Sequence, residues 1–382
     1  MKVVFTGGGT GGHIYPIIAI GRELKSAYYN KIEDKDKKKK PLEIFYIGPK
    51  DRLVLNLLKQ EGIKVKKISA GKVRRYFGIR AFFQNLVDPF KTLFGVIQAF
   101  RHLFLLAPDL IFSKGGYGSF PVVFAARFLR IPIFLHESDA VLGLANKTLK
   151  KFSAEIFVSF PKTENVDVSK MILVGNPIRK ELLEGSAEDA KKLFNITGGK
   201  PVVLIMGGSQ GSQRINNTVV NILPQLVNKF EIIHQTGDKN FEEVKKNAEV
   251  MLEKESIIYY HPISYLEEIN LKHAYKIANL IVSRAGSSSI FEIAALKKPS
   301  ILIPLASSAQ DHQVKNAYAY IKSKATVVIE EDNLTPHFFL AIIKNILENP
   351  KEYEKMQKAA EQFSRLRAGE IIANYIVEYL IQ

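Results

Sequence analysis

Short runs of apolar residues alternate with longer segments of helical periodicity along most of the chain. Short buried strands that alternate with helices are typical of βαβ units and of parallel sheets. The alternation begins at the first residues and starts again near residue 201. It predicts strands at Val3–Phe5, Leu42–Ile47, Lys64–Ser69, Leu110–Ser113, Ile133–His136, Pro201–Met206, Ile232–Gln235, Ile257–Tyr260, Leu280–Ser283, Ile301–Pro304 and Thr326–Ile329.

We therefore predict an α/β fold made of two Rossmann-like halves in tandem, with the break near Gly175-Asn176-Pro177. A chain of 382 residues is too long for one ordinary core and fits two domains. The expected domains are residues 1–177 and 178–363, and residues 364–382 are expected to form a helix that returns to the first domain. Helices are also expected from about Pro16 to Ser26, from about Ile215, and through the helical pattern of Pro350–Gln382.

The charge is strongly basic, with 54 Lys and Arg against 38 Asp and Glu and a net charge of +16. Such a surface attracts nucleic acid, anionic lipid or phosphorylated ligands. No zinc finger, helix-turn-helix or RNA-binding motif accompanies it, so we expect no nucleic-acid partner. The lysines of residues 35–40 are interpreted as a solvated loop. The chain has no cysteine, which agrees with a reducing compartment. Its first residues enter a predicted strand without the layout of a signal peptide, so we expect a cytoplasmic protein.

The segment Thr6–His13 places five glycines between a predicted strand and a predicted helix. Such a turn lets the backbone approach a ligand and directs amide N–H groups toward an anion. The glycines also fit the dinucleotide pattern G-x-G-x-x-G, but the second strand ends in Tyr46–Gly48 without the acidic residue that holds a ribose. We therefore predict a phosphate site rather than an NAD site, with a plain tight turn as the alternative. His13 at the helix entrance is a candidate general base, or else a packing residue.

Two further strand-to-helix turns repeat this chemistry in the second half. Met206–Ser212 is glycine-rich, and Ser283–Glu292 joins a glycine to three serines that are expected to cap a helix. Facing turns from two halves suggest a ligand cleft between domains. Glu292 is a candidate acceptor for a ribose diol, or else a carboxylate favoured by the helix dipole. Gln313 and Asn316 are expected to share one helix face toward the cleft.

A polar cluster, His136–Asp139, ends the strand near residue 135 and is followed by Gly143–Asn146. Open α/β sheets bind ligands at this end of their strands. The cluster lacks the supporting residues of a metal site. The D-x-D pattern of Asp34–Asp36 lies in the lysine-rich loop, so we regard it as chance and expect no metal.

These segments together resemble the MurG family, the N-acetylglucosaminyltransferases that complete lipid II in bacterial cell-wall synthesis. Each motif is weak alone, but seven in family order over nearly the whole chain are specific. The matching segments are Gly7–Pro16, Lys114–Pro121, His136–Lys147, Gly175–Arg179, Met206–Asn216, Ser283–Glu292 and Asp311–Ala317.

The resemblance implies a GT-B fold, in which two Rossmann-like domains face across a cleft. It also implies transfer of GlcNAc from UDP-GlcNAc to undecaprenyl-pyrophosphoryl-MurNAc-pentapeptide, with inversion, a β-1,4 link and no cofactor or metal. The first domain would bind the lipid-linked acceptor at the cytoplasmic face of the membrane, the second would bind the donor, and other cell-wall synthesis proteins are expected partners. By motif, the donor contacts would be Thr10, Gly11, Gly12, Asp139, Asn146, Arg179, Ser209, Ile263, Ser287, Ser288, Ser289, Ile290, Phe291, Glu292 and Gln313.

Two departures from the family pattern affect these assignments. Many members have HEQN where this chain has His136–Asp139, so a family asparagine becomes Asp139. The stretch around Ile263 lacks the acidic pair of the family. Glu137 is the second candidate for the catalytic base after His13.

Three other functions stay open at this point. A related UDP-sugar transferase that acts on diacylglycerol would share the fold and donor turns, and a UDP-sugar epimerase would share the architecture without a lipid acceptor. A Rossmann oxidoreductase is disfavoured by the missing ribose acid.

The segment Lys72–Phe94 favours an acceptor at a membrane surface. Its apolar residues recur at helical steps and basic residues flank them, as in an interfacial anchor, although Pro89 is expected to break any single helix. The alternative is a core helix whose stripe faces its own sheet. The apolar residues are Phe82, Phe83, Leu86, Phe90, Leu93 and Phe94, and the basic ones are Lys64, Lys66, Lys67, Arg74, Arg75, Arg80 and Lys91.

Overall fold

The computed structural model describes residues 1–8, 11–33, 40–72, 79–161, 163, 170–208 and 210–381. The chain divides into two compact units. One consists of Met1–Ile178 with Arg365–Gln382, and the other of Arg179–Ser364. Several residues named above lie outside the described residues: Gly9, Thr10, residues 34–39, Arg74, Arg75, Ser209, and the side chains of Arg80 and Phe82.

A parallel sheet forms the centre of the first unit, with seven strands among the described residues in the order β3-β2-β1-β4-β5-β6-β7. The strands are β1 (Lys2–Thr6), β2 (Glu43–Pro49), β3 (Lys64–Ile68), β4 (Leu110–Ser113), β5 (Ile133–Glu137), β6 (Glu155–Val158) and β7 (Met171–Leu173). The helices between them are α1 (Gly11–Glu33), α2 (Arg52–Gln60), α3 (Ile79–Leu106), α4 (Phe120–Phe128) and α5 (Leu144–Leu149).

The apolar strands of this unit are buried on both faces, as the continuous apolar runs predict. Along β1, Val3 and Phe5 pack into one cluster with α1, while Val4 packs into the other with α3 and α4. The alternation follows from the two-residue repeat of a strand. Because the strand order reverses between β1 and β4, the turns that follow these two strands lie side by side at one edge of the sheet.

The second unit repeats the design with a parallel sheet in the order β10-β9-β8-β11-β12-β13. The strands are β8 (Val202–Met206), β9 (Glu231–Gln235), β10 (Tyr260–Ile263), β11 (Leu280–Ser283), β12 (Ser300–Leu302) and β13 (Thr326–Val328). The helices are α6 (Ala187–Phe194), α7 (Gln213–Asn221), α8 (Leu223–Lys229), α9 (Phe241–Met251), α10 (Glu268–Ile277), α11 (Ser287–Ala295), α12 (His312–Ile321), α13 (Pro336–Leu347) and α14 (Pro350–Phe363). The two parallel sheets confirm the predicted α/β class.

Two local predictions were wrong, and two strands were missed. Of the predicted strand Ile257–Tyr260, the first three residues form a 3-10 turn and only Tyr260 belongs to a strand, β10. The strands β6 and β7 were not predicted. The helical pattern of Pro350–Gln382 contains two helices, α14 and α15 (Ala368–Ile381), and α15 packs on α1 in the first unit, where the end of the chain was expected to return. Pro89 does not break α3, which continues through it from Ile79 to Leu106.

Candidate active site

In the first unit, His13 lies against two glycine turns. A Cβ added to Gly8 would lie 3.1 Å from His13 Nδ1, and one added to Gly116 would lie 3.1 Å from His13 Nε2. Gly116 has φ +80°, and its added Cβ would come within 2.9 Å of the Gly8 backbone. Only glycines let the turns after β1 and β4 approach this closely. The imidazole is partly exposed at the first turn of α1.

The N-terminus of α1 is open on the side of Gly12. Gly11 begins the helix, and a Cβ added to Gly12 would meet no atom of the described residues within 4 Å, the backbone of its own helix aside. The first backbone N–H groups of a helix carry partial positive charge and have no intrahelical partners. An anion or a polar hydroxyl group therefore has room to approach the backbone at this point.

Glu137 at the end of β5 is held by its own loop. Its Oε1 accepts from the backbone N–H of Asp139 at 3.0 Å, and its Oε2 accepts from Gly143 N at 2.9 Å and from Asn146 Nδ2 at 2.8 Å. Burial raises the pKa of Glu137, Asp139 adds to the rise, and the three hydrogen bonds oppose it. The carboxylate fixes the loop that presents Asp139 and joins Asn146 to the same cluster.

Lys114, which follows β4, lies in this cluster although the sequence did not single it out as a site residue. Its side chain is 2% exposed. Its Nζ contacts His136 Nδ1 at 2.5 Å, Asn176 Oδ1 at 3.2 Å and the hydroxyl of Ser138. This buried lysine therefore combines three polar contacts with the charges of two neighbouring carboxylates, Glu137 and Asp139.

In the second unit, the turn after β8 is shaped by two glycines. Gly208 has φ +92° and Gly211 has φ +74°, which L-residues rarely adopt. Gln235 Nε2 donates to Gly208 O at 3.0 Å, and the Ser212 side chain caps α7 by accepting from Ile215 N. The turn is therefore fixed from both sides, with the N-terminus of α7 directly after it.

Arg284, after β11, binds this turn from the neighbouring strand end and was also missed by the sequence. Its Nη2 donates to Ser212 Oγ at 2.7 Å and to Glu331 Oε1 at 2.5 Å, and its Nη1 donates to Ile303 O at 3.1 Å. The guanidinium joins the ends of β8, β11 and β12. It lies, as an ion pair with Glu331, at the edge of the sheet where open α/β sheets bind ligands.

Arg179 and Glu292, both predicted donor contacts, form an ion pair with each other. Arg179 Nη2 lies 3.2 Å from Glu292 Oε1, and Arg179 Nη1 lies 2.8 Å from Glu268 Oε2. Tyr275 OH donates to the other Glu292 oxygen at 3.0 Å. Burial raises the pKa of Glu292, and the Arg179 guanidinium opposes part of that rise.

The N-terminus of α11 differs in detail from the prediction. Its N-cap is Gly286 rather than a serine, and no side chain caps it. Ser287, Ser288 and Ser289 form the first turn instead. Ile290 is fully buried, and the Phe291 ring packs on Phe363 at 5.3 Å between centroids, so these two side chains belong to the core.

Gln313 and Ile263 both support loops at the strand ends. Gln313 Oε1 accepts from Leu305 N at 3.0 Å, so it fixes the loop after β12. Ile263 ends β10, its carbonyl accepts from Thr236 N at 2.9 Å, and its side chain packs at the edge of the core.

An exposed apolar face on α3 forms a second candidate surface in the first unit. We call it the α3 face. The apolar side chains of the α3 face are exposed and are not part of the core. This contradicts the alternative of a core helix whose apolar stripe faces its own sheet. Lys66, Lys67 and Lys72 are exposed in the preceding segment. The exposed members are Phe83 (61%), Leu86 (59%), Val87 (48%), Phe90 (71%), Leu93 (61%), Phe94 (56%) and Ile97 (60%).

No group of three or more His, Asp or Glu side chains in the described part of the chain could hold a metal ion. Among the same residues, no helix is long and apolar enough to cross a membrane.

Comparison with known proteins places the chain in a family. The models of the glycosyltransferase family 28 N-terminal and C-terminal domains match residues 3–158 and 202–370. The chain is also 38% identical over 359 residues to an enzyme of Clostridium tetani, covering 94% of this chain and 93% of the relative. That enzyme is named UDP-N-acetylglucosamine--N-acetylmuramyl-(pentapeptide) pyrophosphoryl-undecaprenol N-acetylglucosamine transferase.

The chain belongs to the MurG family. It is therefore a glycosyltransferase, as the sequence motifs indicated. The crystal structure of MurG from Acinetobacter baumannii has the same fold, with a TM-score of 0.73, 23% identity and 99% of each chain covered. The structure of UDP-GlcNAc 2-epimerase from Neisseria meningitidis, bound to UDP-GlcNAc, also shares it, with a TM-score of 0.67, 16% identity and 100% of each chain covered.

The expected MurG contacts fall into separate groups in the two units. In the first unit, the end of β5 brings together Glu137, Asp139 and Asn146, and the glycine turns enclose His13. In the second, Arg179 and Glu292 form one pair. Thr10 and Ser209 lie outside the described residues. The MurG-like segment Lys114–Pro121 includes Lys114, but the motif does not show that this side chain is buried.

Proposed function

We propose that this glycosyltransferase moves GlcNAc from UDP-GlcNAc to the MurNAc sugar of undecaprenyl-pyrophosphoryl-MurNAc-pentapeptide. The observation that carries the proposal is the 38% identity, over 94% of the chain, to the Clostridium tetani enzyme that is named for this transfer. The first unit would bind the lipid-linked acceptor and the second would bind the UDP-sugar. In this account the product has a β-1,4 link and is formed with inversion.

The reaction is a single displacement at the anomeric carbon. The 4-hydroxyl oxygen of MurNAc attacks C1 of GlcNAc, while the bond from C1 to the UDP oxygen breaks and UDP leaves with the electron pair. His13 accepts the hydroxyl proton. Its partly exposed imidazole, seated against Gly8 and Gly116, supports this role because the surrounding backbone limits how the ring can turn.

Departure of UDP requires stabilisation of the negative charge on its diphosphate. The glycine turn before α7 and the uncapped N-terminus of α11 offer backbone N–H groups at the positive ends of helices. Arg284 adds a guanidinium beside the first of these turns. We infer that these groups, rather than a metal ion, balance the charge of the leaving group.

Thorough removal of divalent metals is therefore expected to leave the transfer rate within about twofold of its original value. The proposed reaction uses only backbone N–H groups and side chains to stabilise UDP. The measurement is the initial transfer rate in EDTA, with and without later addition of Mg²⁺ or Mn²⁺. Complete loss of activity in EDTA that either metal restores would contradict this part of the proposal.

Replacement of Glu292 is expected to weaken donor binding. If its carboxylate accepts from the ribose diol, Glu292→Gln should reduce the UDP-GlcNAc affinity by up to about 1.5–3 kcal/mol, the range for a hydrogen bond to a charged group. Glu268→Gln is the matched control, because Glu268 also pairs with Arg179 but is not proposed to bind donor. Calorimetric titration with UDP-GlcNAc measures both. Equal losses in the two variants would show that the effect passes through Arg179 and not through the ribose.

The membrane-facing role is assigned to the α3 face. Its exposed phenylalanines and leucines, with Lys66, Lys67 and Lys72 close along the chain, suit an anionic lipid surface. The protein would then be peripheral at the cytoplasmic face of the membrane, where a lipid-linked acceptor is available. Association with other cell-wall synthesis proteins remains part of the same proposal.

A UDP-GlcNAc epimerase is the second candidate, favoured by the structural likeness to the Neisseria meningitidis enzyme. Incubation with UDP-GlcNAc alone distinguishes the two functions. A transferase leaves the sugar nucleotide unchanged until a lipid acceptor is added, whereas an epimerase converts it to the 2-epimer without one. Rapid epimer formation, detected by NMR, would contradict the proposed function.

A further inference from the structure

Lys114 ties together three separate segments of the first unit. It follows β4, and its Nζ reaches His136 at the end of β5, Ser138 in the next loop and Asn176 in the turn beyond β7. These three partners lie 22, 24 and 62 residues after Lys114 in the sequence. A single buried amine therefore fixes the positions of the loops that surround Glu137 and Asp139.

The hydrogen-bond pattern fits a charged ammonium group. His136 Nε2 lies 3.0 Å from Gly175 O, which can only accept, so Nε2 carries the proton and Nδ1 accepts from Lys114. Burial and the neighbouring lysine hold the pKa of His136 well below its usual range, which keeps the ring neutral. Asn176 Oδ1 and the Ser138 hydroxyl supply two further acceptors. Each of the three N–H groups of an ammonium can therefore donate to one of these three acceptors.

Such a buried cation needs negative charge nearby. Burial lowers the pKa of Lys114 to about 7, and the carboxylates of Glu137 and Asp139 oppose that fall. Glu137 has both oxygens bonded within its loop, and the backbone N–H of Asp139 provides one of those bonds. With both carboxylates ionised, the cluster carries two negative charges and one positive charge.

We propose that Lys114 is a positioning residue. Its ammonium group balances one of the two negative charges of Glu137 and Asp139 at the end of β5, and it holds Asp139 where its carboxylate can accept from a substrate hydroxyl. Without Lys114, no ammonium group would contact Ser138 between the two carboxylates, and the repulsion between Glu137 and Asp139 would displace the loop. The positioning role of Lys114 rests on the proposed transfer reaction. The charge coupling between Lys114 and Asp139 is independent of that reaction and can be measured without substrates.

A double-mutant cycle tests the role in transfer. Lys114→Met leaves the cluster with two negative charges, Asp139→Asn alone leaves it neutral, and the double variant restores a single negative charge. Each single variant is expected to lower the transfer rate, with Lys114→Met lower by about 10²-fold, the scale of a small misplacement in an active site. The double variant is expected to recover to within about tenfold of the wild type. Losses that simply multiply in the double variant would overturn the proposal.

Lys298→Met in the second unit is the matched control. Lys298 is also a partly buried lysine, its Nζ donates to Lys276 O at 3.2 Å, and burial lowers its pKa. Its replacement is expected to leave the transfer rate unchanged, alone and together with Asp139→Asn. A recovery of Asp139→Asn by Lys298→Met would mean that net charge of the whole protein, and not Lys114, causes the effect.

The charge coupling is measured without substrates by NMR of the full chain with isotope-labelled lysine side chains. One lysine signal, absent from Lys114→Met, is expected to titrate near neutral pH, and in Asp139→Asn it should titrate at lower pH because a neighbouring anion is gone. Asp139→Asn retains Lys114, so this test stands even where Lys114→Met fails to fold. An unmoved titration in Asp139→Asn would overturn the coupling. If the wild type lacks transfer activity while the lysine signal still titrates at lower pH in Asp139→Asn, the proposed function is refuted and the coupling stands.

Discussion

Replacement of His13 by alanine is expected to reduce turnover by at least about 10²-fold, because removal of a general base typically costs about 10²–10⁴-fold. The affinity for UDP-GlcNAc is expected to stay nearly unchanged, since His13 is assigned to proton transfer and is not among the expected donor contacts. A loss of turnover with unchanged ground-state binding indicates an interaction made only in the transition state. Single-turnover transfer kinetics and calorimetric titration with UDP-GlcNAc measure the two quantities.

An exposed histidine of the second unit provides the control. His337 lies near the start of α13, and His337→Ala should leave both quantities unchanged. Near-normal turnover of His13→Ala would end its assignment as the base and direct attention to Glu137. Glu137 is less suited to proton transfer as it stands, because three hydrogen bonds hold its carboxylate within its own loop.

Loss of three phenylalanines from the α3 face is expected to abolish binding to anionic vesicles. Phe83, Phe90 and Phe94 are 61%, 71% and 56% exposed, so their replacement by serine should not disturb the core. Full burial of one such side chain in an apolar phase contributes about 1.5–3 kcal/mol, so three changes should lower vesicle affinity by at least about 10²-fold. Co-sedimentation measures the affinity, and circular dichroism checks the fold.

A matched variant replaces three exposed apolar residues of the second unit by serine, namely Val250, Ile269 and Phe338. It should bind vesicles like the wild type. Wild-type binding should also weaken with salt, because each Lys or Arg near anionic lipid contributes about 1 kcal/mol. Equal loss in both triple variants would show that the α3 face has no special role, and salt-independent binding would remove the electrostatic contribution.

The fold could be predicted largely from the hydrophobic pattern. The strands β4 and β11 match their predicted residues, Leu110–Ser113 and Leu280–Ser283, because fully buried apolar runs end in polar residues at both places. The strand β7 is only three residues long and partly exposed, so it leaves little pattern to detect. Pro89 was misjudged because the sequence does not show whether the packing of a long helix offsets the hydrogen bond that a proline removes.

The candidate site was predicted less completely, because its contacts join distant parts of the chain. Arg179 and Glu292 are 113 residues apart, and their ion pair is not visible in either motif. Arg284 was seen only as a member of a serine-rich turn, while its partners Ser212 and Glu331 lie 72 and 47 residues away. Lys114 is a single lysine after an apolar strand, and only the fold shows that three acceptors surround it.

The identity of the acceptor can be tested by transfer of radiolabelled GlcNAc to a panel of lipids. The panel contains undecaprenyl-pyrophosphoryl-MurNAc-pentapeptide, the same lipid without the sugar, and diacylglycerol. The account predicts that label from UDP-GlcNAc enters only the first lipid, through a β-1,4 link. Label in diacylglycerol, or none in the MurNAc lipid under conditions where the enzyme is folded and binds UDP-GlcNAc, would contradict it.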